Sequence, residues 1–116
     1  MTTHQQRFQR AIERFDAANA EDPNREFADG HERPKELLYA QRLSTMLERF
    51  APEASEALRL AVRCQHIQRW KIPRSDYPRT PAGYKQWRSQ LQKFHAETSA
   101  RILRELRRWA EVALGE

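Results

Sequence analysis

The last third of this 116-residue chain carries an apolar stripe that runs for about eight helical turns. Thr80 and Pro81 have the residue types of an N-cap and a first helical turn. A helix longer than most follows, and it needs other helices packed along its length. The stripe recurs at helical spacing at Tyr84, Trp87, Leu91, Phe94, Thr98, Ile102, Leu106, Trp109 and Ala113. We therefore predict one helix over residues 81–114.

Three shorter helices are predicted before it, over residues 3–19, 34–50 and 52–70, from apolar positions at the same spacing. Residues 20–33 are rich in turn formers, and Pro73 and Pro78 keep residues 71–80 in a rigid basic loop. No sheet is expected. The chain is predicted to be one all-α domain over residues 1–116, a four-helix bundle with a long C-terminal helix.

Composition limits the classes of protein to which this chain can belong. It is 39% hydrophobic and 32% charged, a globular balance with a charged surface. No run of apolar residues is long enough to span a membrane, and the polar start does not resemble a signal peptide. Cys64, the one cysteine, cannot form an internal disulfide. We expect a cytoplasmic protein with no membrane partner.

Positive charge is concentrated between residues 63 and 93, where eight lysines and arginines are opposed only by Asp76. Such an excess attracts phosphates, nucleotides or nucleic acid, although a solvated surface with counterions explains it equally well. Tyr77 and Tyr84 either stack on a ligand or pin the loop to the bundle. The predicted phosphate-binding residues are Arg69, Arg74, Arg79 and Arg88.

Three residues with metal-binding side chains fall on the inward faces of three predicted helices. Glu36 borders the apolar stripe of the second helix, and His66 and His95 lie on those of the third and fourth. Two imidazoles and a carboxylate suit zinc, iron or manganese, and helical bundles build metal sites from facing helices. The alternative is a structural polar core, in which the imidazoles bond to backbone or phenol groups and Glu36 pairs with an arginine.

Four stretches resemble the domain of unknown function family numbered 4202, and together they reach from the first helix to about Arg104. They are NAEDPN (19–24), PKELLYAQR (34–42), APEASEALRLAVRCQHIQRWKIPR (51–74) and GYKQWRSQLQKFHAE (83–97). That family is distantly similar to HD-type metal-dependent phosphohydrolases, which are all-helical. In those enzymes a His-Asp pair on a buried helix, with further His and Asp residues, holds one or two divalent metals.

This second similarity implies an HD-like bundle and hydrolysis of a phosphorylated small molecule or nucleotide. Gln65-His66 stands where the His-Asp pair would be, and Glu36 and His95 stand for flanking ligands. Gln65 is a poor metal ligand. The family pattern continues past the position of Glu116 with a helical segment that carries an acidic motif, and we expect this chain to lack it. A metal here is then bound weakly or held jointly with another chain.

Three functions follow from these features, and the sequence favours the first. One is a metal-dependent hydrolase with Glu36, His66 and His95 as ligands. Another is a non-catalytic module that binds an anion or nucleic acid through the basic loop. The third is a helical interaction domain. Residues 102–114 stay apolar to their end, which predicts a homodimer or larger assembly through the C-terminal helix.

Overall fold

The computed structural model describes residues 4–113, and within this range α-helices form almost the whole framework. The chain is therefore mainly α-helical with a long C-terminal helix, as predicted. The elements in chain order are α1 (His4–Asn19), β1 (Arg25–Ala28), β2 (His31–Pro34), α2 (Lys35–Phe50), α3 (Glu56–Arg63) and α4 (Pro81–Ala113), with single 3₁₀ turns at Arg69–Lys71 and Arg74–Asp76. No helix in the described range is both long and apolar enough to cross a membrane.

A two-stranded antiparallel hairpin joins α1 to α2, so the expectation of no sheet was wrong. Arg25 pairs with Pro34 and Ala28 with His31. Asp29 and Gly30 make the turn with φ of 53° and 88°, the left-handed pair that a two-residue hairpin turn requires. The strands are four residues long and mostly polar, so they carry no alternating pattern that would predict them.

The third helix is much shorter than the predicted 52–70. It begins after Ser55, whose hydroxyl oxygen accepts a hydrogen bond from the Leu58 N–H at 3.1 Å, and it ends at Arg63. The chain then turns, and Gln68 adopts a left-handed conformation with φ of 52°. The Gln68 N–H donates to the side-chain oxygen of Asn19 at 2.9 Å. Residues 64–72 are therefore held as turns against the end of α1.

A small apolar core joins α1, α4 and the turns after α3. Phe15 and Ile67 are completely buried in it. The predicted cap of α4 is confirmed, because the Thr80 hydroxyl oxygen accepts a hydrogen bond from the Gly83 N–H at 3.0 Å. The core consists of Ala11, Phe15, Ile67 and Ile102, with Ala18, Leu60, Cys64 and Leu106 packed around it.

Candidate functional site

Glu36, His66 and His95 come from three parts of the chain that meet beside the core. Glu36 lies in the first turn of α2, His66 on the turn after α3, and His95 in α4. Glu36 and His66 line one cavity of about 430 Å³, and His66 and His95 line a second of about 230 Å³. The two imidazole ring centroids are 5.8 Å apart.

Both cavities are bordered by His66 and Arg69, and we call them together the imidazole cleft. The first is lined by Glu26, Lys35, Glu36, Tyr39, Arg42, His66 and Arg69. The second is lined by Gln65, His66, Arg69, Arg88, Leu91, Gln92 and His95. Of the residues predicted from the sequence, the cleft gathers Glu36, Gln65, His66, Arg69, Arg88 and His95.

Glu36 is positioned by a buried carboxylate of the connection between α1 and the hairpin. Asp22 accepts hydrogen bonds from the Asn24 N–H at 2.8 Å and from the Glu36 N–H at 2.9 Å. Pro34 precedes α2 and makes no side-chain cap, so the Asp22 carboxylate, from an earlier part of the chain, accepts the hydrogen bond of a free N–H group in the first turn of α2. The Oε2 of Glu36 is buried with no hydrogen-bond partner. Burial raises the pKa of Glu36, and the positive charge of Arg69 opposes this rise.

His95 is fixed in one tautomer by the backbone. Its Nδ1 lies 2.9 Å from the carbonyl oxygen of Ile67. Because a carbonyl oxygen only accepts, Nδ1 carries the proton and Nε2 keeps a lone pair. That Nε2 is buried with no partner. Burial lowers the pKa of His95, and the nearby charges of Arg69 and Arg88 lower it further against the effect of the Ile67 hydrogen bond.

His66 is held flat against an aromatic ring of α2. The Tyr39 and His66 rings are nearly parallel, and Nδ1 of His66 is buried without a partner. Burial lowers its pKa from 6.5 to about 4, with further lowering by Arg69, His95 and Arg88. The two imidazoles are therefore both neutral at neutral pH.

Arg69 gives the cleft its positive charge. Its guanidinium lies 5.3 Å from the ring centroid of Trp87, and it forms no ion pair with any residue of the described range. Arg88 lines the second cavity and is likewise unpaired within residues 4–113. Arg42 is already paired, with 2.7 Å between its Nη1 and the Oε2 of Glu26.

The other predicted phosphate-binding residues line neither cavity of the cleft, although Arg74 shares the ring of Trp87 with Arg69. Nη1 of Arg74 donates to the carbonyl oxygens of Tyr77 at 3.2 Å and Pro78 at 3.0 Å, so this arginine braces the loop. Arg79 and Tyr84 border, with Arg74, a separate open depression at the start of α4. Arg69 and Arg88 therefore line the cleft, whereas Arg74 and Arg79 border the depression at the start of α4.

Sequence reasoning missed several parts of the cleft. Tyr39 follows Glu36 by three residues, which is a signal that both share one helix face. Gln92 precedes His95 by three residues in the same way. Asp22 lies within the stretch NAEDPN, but its hydrogen bond to the Glu36 N–H depends on the hairpin that brings Asp22 and Glu36 together.

The side chains of the cleft that could act as metal ligands suit a divalent metal only in part. Glu36, His66 and His95 each have one buried atom without a partner, and such donors are the ones zinc, iron or manganese takes. In the described part of the chain, however, no three His, Cys, Asp or Glu side chains are close enough to hold a metal ion together. The charge of Arg69 also acts on all three residues and repels a cation.

Comparison with known proteins gives one match. Residues 9–113 match the model of a family described as a domain of unknown function, DUF4202. No curated protein and no solved structure matches the chain.

Proposed function

For this chain, which belongs to the DUF4202 family of domains of unknown function, we propose that the imidazole cleft binds the phosphate group of a small molecule or nucleotide. The observation that carries the proposal is the position of Arg69, which borders both cavities without an ion pair among the described residues. Its planar guanidinium offers phosphate two parallel hydrogen bonds, and Arg88 adds a second charge.

The groups around Arg69 complement a protonated phosphate or a ligand hydroxyl. Nε2 of His95 is an acceptor, so it suits a P–OH or a sugar hydroxyl. The raised pKa of Glu36 lets its carboxyl group keep a proton more readily than an exposed one, and the protonated form donates to phosphate instead of repelling it. A buried polar atom without a partner costs about 1–3 kcal/mol, which a ligand that reaches it recovers.

Titration calorimetry with inorganic phosphate and with a nucleoside monophosphate tests the proposal. Arg69→Ala removes the charged contacts and is expected to weaken binding about 10- to 100-fold. Arg101→Ala is the matched control, because this exposed arginine lies about 20 Å along α4 from Arg88. Equal affinity in the Arg69 variant, or equal loss in both variants, would show that any binding reflects diffuse surface charge.

Metal-dependent hydrolysis of the bound phosphate ester is the second candidate, and the resemblance to HD-type phosphohydrolases suggests it. The observation in its favour is the set of partnerless atoms on Glu36, His66 and His95. A metal held there would act as a Lewis acid and activate water. The spacing of these side chains and the charge of Arg69 fit such a metal only in part.

Elemental analysis of protein purified without a histidine tag tests the metal. A stoichiometric zinc, iron or manganese content that is lost in His66→Ala, with an unchanged far-UV circular dichroism spectrum, would support hydrolysis. Metal-free wild-type protein that merely loses stability in His66→Ala would identify a structural polar core.

Nucleic acid binding and homo-oligomerisation are two further roles that we propose for this chain. Nucleic acid binding would use the basic segment 63–93, but Arg63 is engaged by Asp16 in two hydrogen bonds of 2.7 and 2.8 Å, and Arg74 by backbone carbonyls. These contacts leave less charge for a polyanion.

Homo-oligomerisation would use the far end of α4. We place all of these roles in the cytoplasm, because the single Cys64 needs no oxidising compartment.

A further inference from the structure

Helix α2 presents an apolar stripe that begins at the wall of the imidazole cleft and continues to the end of the helix. The stripe consists of Tyr39, Leu43, Met46 and Phe50, which are separated by four, three and four residues. At 3.6 residues per turn, these positions fall within about 60° of one another around the helix. Tyr39, Met46 and Phe50 are 39%, 55% and 82% exposed. The Met46 and Phe50 end of this face is therefore apolar and exposed in the described part of the chain, whereas Tyr39 is stacked on His66 on one side.

The spacing and size of this stripe fit a single helix. Alternating steps of three and four residues are the pattern by which one helix packs lengthwise on another. With roughly 200 Å² for each full side chain, the exposed parts of the three residues come to roughly 350 Å². A standard protein interface takes about 800 Å² from each partner. The stripe is therefore less than half the size of a standard interface, and its length along α2 suits a single helix and not a whole domain.

The charged residues that α2 itself contributes to one edge of the stripe are all positive. Lys35, Arg42 and Arg49 follow one edge at seven-residue intervals, and all three are exposed. Lys35 and Arg49 form no ion pair within the described residues, and Arg42 pairs with Glu26. The opposite edge, beside α3, offers no exposed carboxylate, since Glu36 turns its Oε2 into the interior. The α2 stripe of a second copy would therefore bring no acidic edge to meet the basic one.

We propose that the α2 stripe binds an acidic amphipathic helix of a partner protein. The apolar side of that helix covers Tyr39, Met46 and Phe50, and its carboxylates meet the basic edge. Tyr39 also forms a wall of the first cavity. Occupation of the stripe therefore brings the partner to the mouth of the imidazole cleft.

Two synthetic helical peptides test this surface directly. One has leucine at the heptad a and d positions and glutamate beside them, and its twin has lysine in place of glutamate. Fluorescence anisotropy should give the glutamate peptide a Kd at least ten times lower than its twin, and its affinity should fall as salt is added. Phe50→Ser should weaken binding at least tenfold. Val112→Ser, at a residue 87% exposed on α4, should leave it unchanged.

Charge-reversal variants test whether the peptides bind to the α2 stripe or to another apolar surface. Arg49→Glu should shift the preference toward the lysine peptide, whereas Arg101→Glu on α4 should not. Met46→Ser provides a second stripe variant, and circular dichroism establishes that each variant is folded. Equal binding of the two peptides, or binding that survives both Phe50→Ser and Met46→Ser, overturns the proposal. A wild-type dimer in sedimentation that Phe50→Ser converts to monomer also overturns it, because a second copy then covers the stripe.

Discussion

The imidazole of His66 lies parallel to the phenol ring of Tyr39, with 4.9 Å between ring centroids and 8° between ring planes. The stack removes one face of the imidazole from water, and a proton added to it would face the charge of Arg69. This is why the pKa of His66 falls to about 4. Through this stack Tyr39, which lines the first cavity, favours the neutral form of the His66 imidazole.

Acid should destabilise the fold through His66. Its pKa is about 4 in the folded protein, against 6.5 for an unperturbed imidazole, so the unfolded chain binds more protons between these values, and stability falls as the pH drops from 6.5 to about 4. Because the ring is partly exposed, we expect about 1–2 kcal/mol rather than the full shift. Urea unfolding at both ends of this pH range should show that the free energy of unfolding falls less in His66→Phe than in wild type. His31→Phe, on an exposed strand, serves as the control, and equal losses in all three proteins would contradict the assignment.

Asp22→Ala should destabilise the protein by about 1.5–3 kcal/mol. Asp22 is 1% exposed, and its carboxylate accepts from two backbone N–H groups that would then lack a partner. Asp76→Ala removes an exposed carboxylate with no described hydrogen bond and should change the free energy of unfolding little. Chemical denaturation measures both variants, and similar losses would mean that Asp22 does not cap α2.

Gly83→Ala should lower the melting temperature although alanine is the better helix former. A Cβ at this position would lie 2.0 Å from the carbonyl oxygen of Pro78, so the loop would have to move away from α4. Such overpacking costs about 1–3 kcal/mol, against a gain of about 1 kcal/mol in helix propensity. Ser89→Ala, exposed on the same helix, is the control for propensity alone. A higher melting temperature for Gly83→Ala would refute the close packing of the loop.

The end of α4 should carry any self-association of this chain. Ile102 and Leu106 of the predicted interface pack in the core against α1, and Ile102 is only 4% exposed, so these two residues are not available to a second copy. Leu103, Trp109 and Val112 remain, at 39%, 37% and 87% exposed. Residue 114 lies outside the described residues. We expect a dimer by light scattering, and Val112→Glu should shift it toward monomer because a buried carboxylate is costly. A monomeric mass for wild type at high concentration would exclude this interface.

The sequence predicts the helices whose ends are marked by specific residues. The predicted 34–50 and 81–114 agree closely with Lys35–Phe50 and Pro81–Ala113. The end of α3 could not be predicted, because Ile67 lies at helical spacing from earlier apolar residues yet reaches the core from a turn. The hairpin was missed for a different reason. Its Asp-Gly turn is a recognisable signal, but its strands have no apolar alternation.

The grouping of the cleft residues could be predicted only as far as helix faces allow. His95 lies on α4 as expected, whereas His66 approaches it from a turn and not from the face of a helix. Periodicity gives no information on the pairing of Asn19 with Gln68 or of Asp22 with the start of α2, because both depend on distant parts of the chain. Whether Arg74 points to a ligand or braces its own loop likewise depends on local carbonyl positions.

The amide of Asn19 lines neither cavity, yet it holds the turn that carries His66 and Arg69 in place through the N–H of Gln68. A substitution of one wall residue alters one side of a cavity. A change at Asn19 instead shifts two walls together. Asn19→Ala is therefore expected to weaken ligand binding as much as a substitution in the cavity wall does, although Asn19 lies outside both cavities.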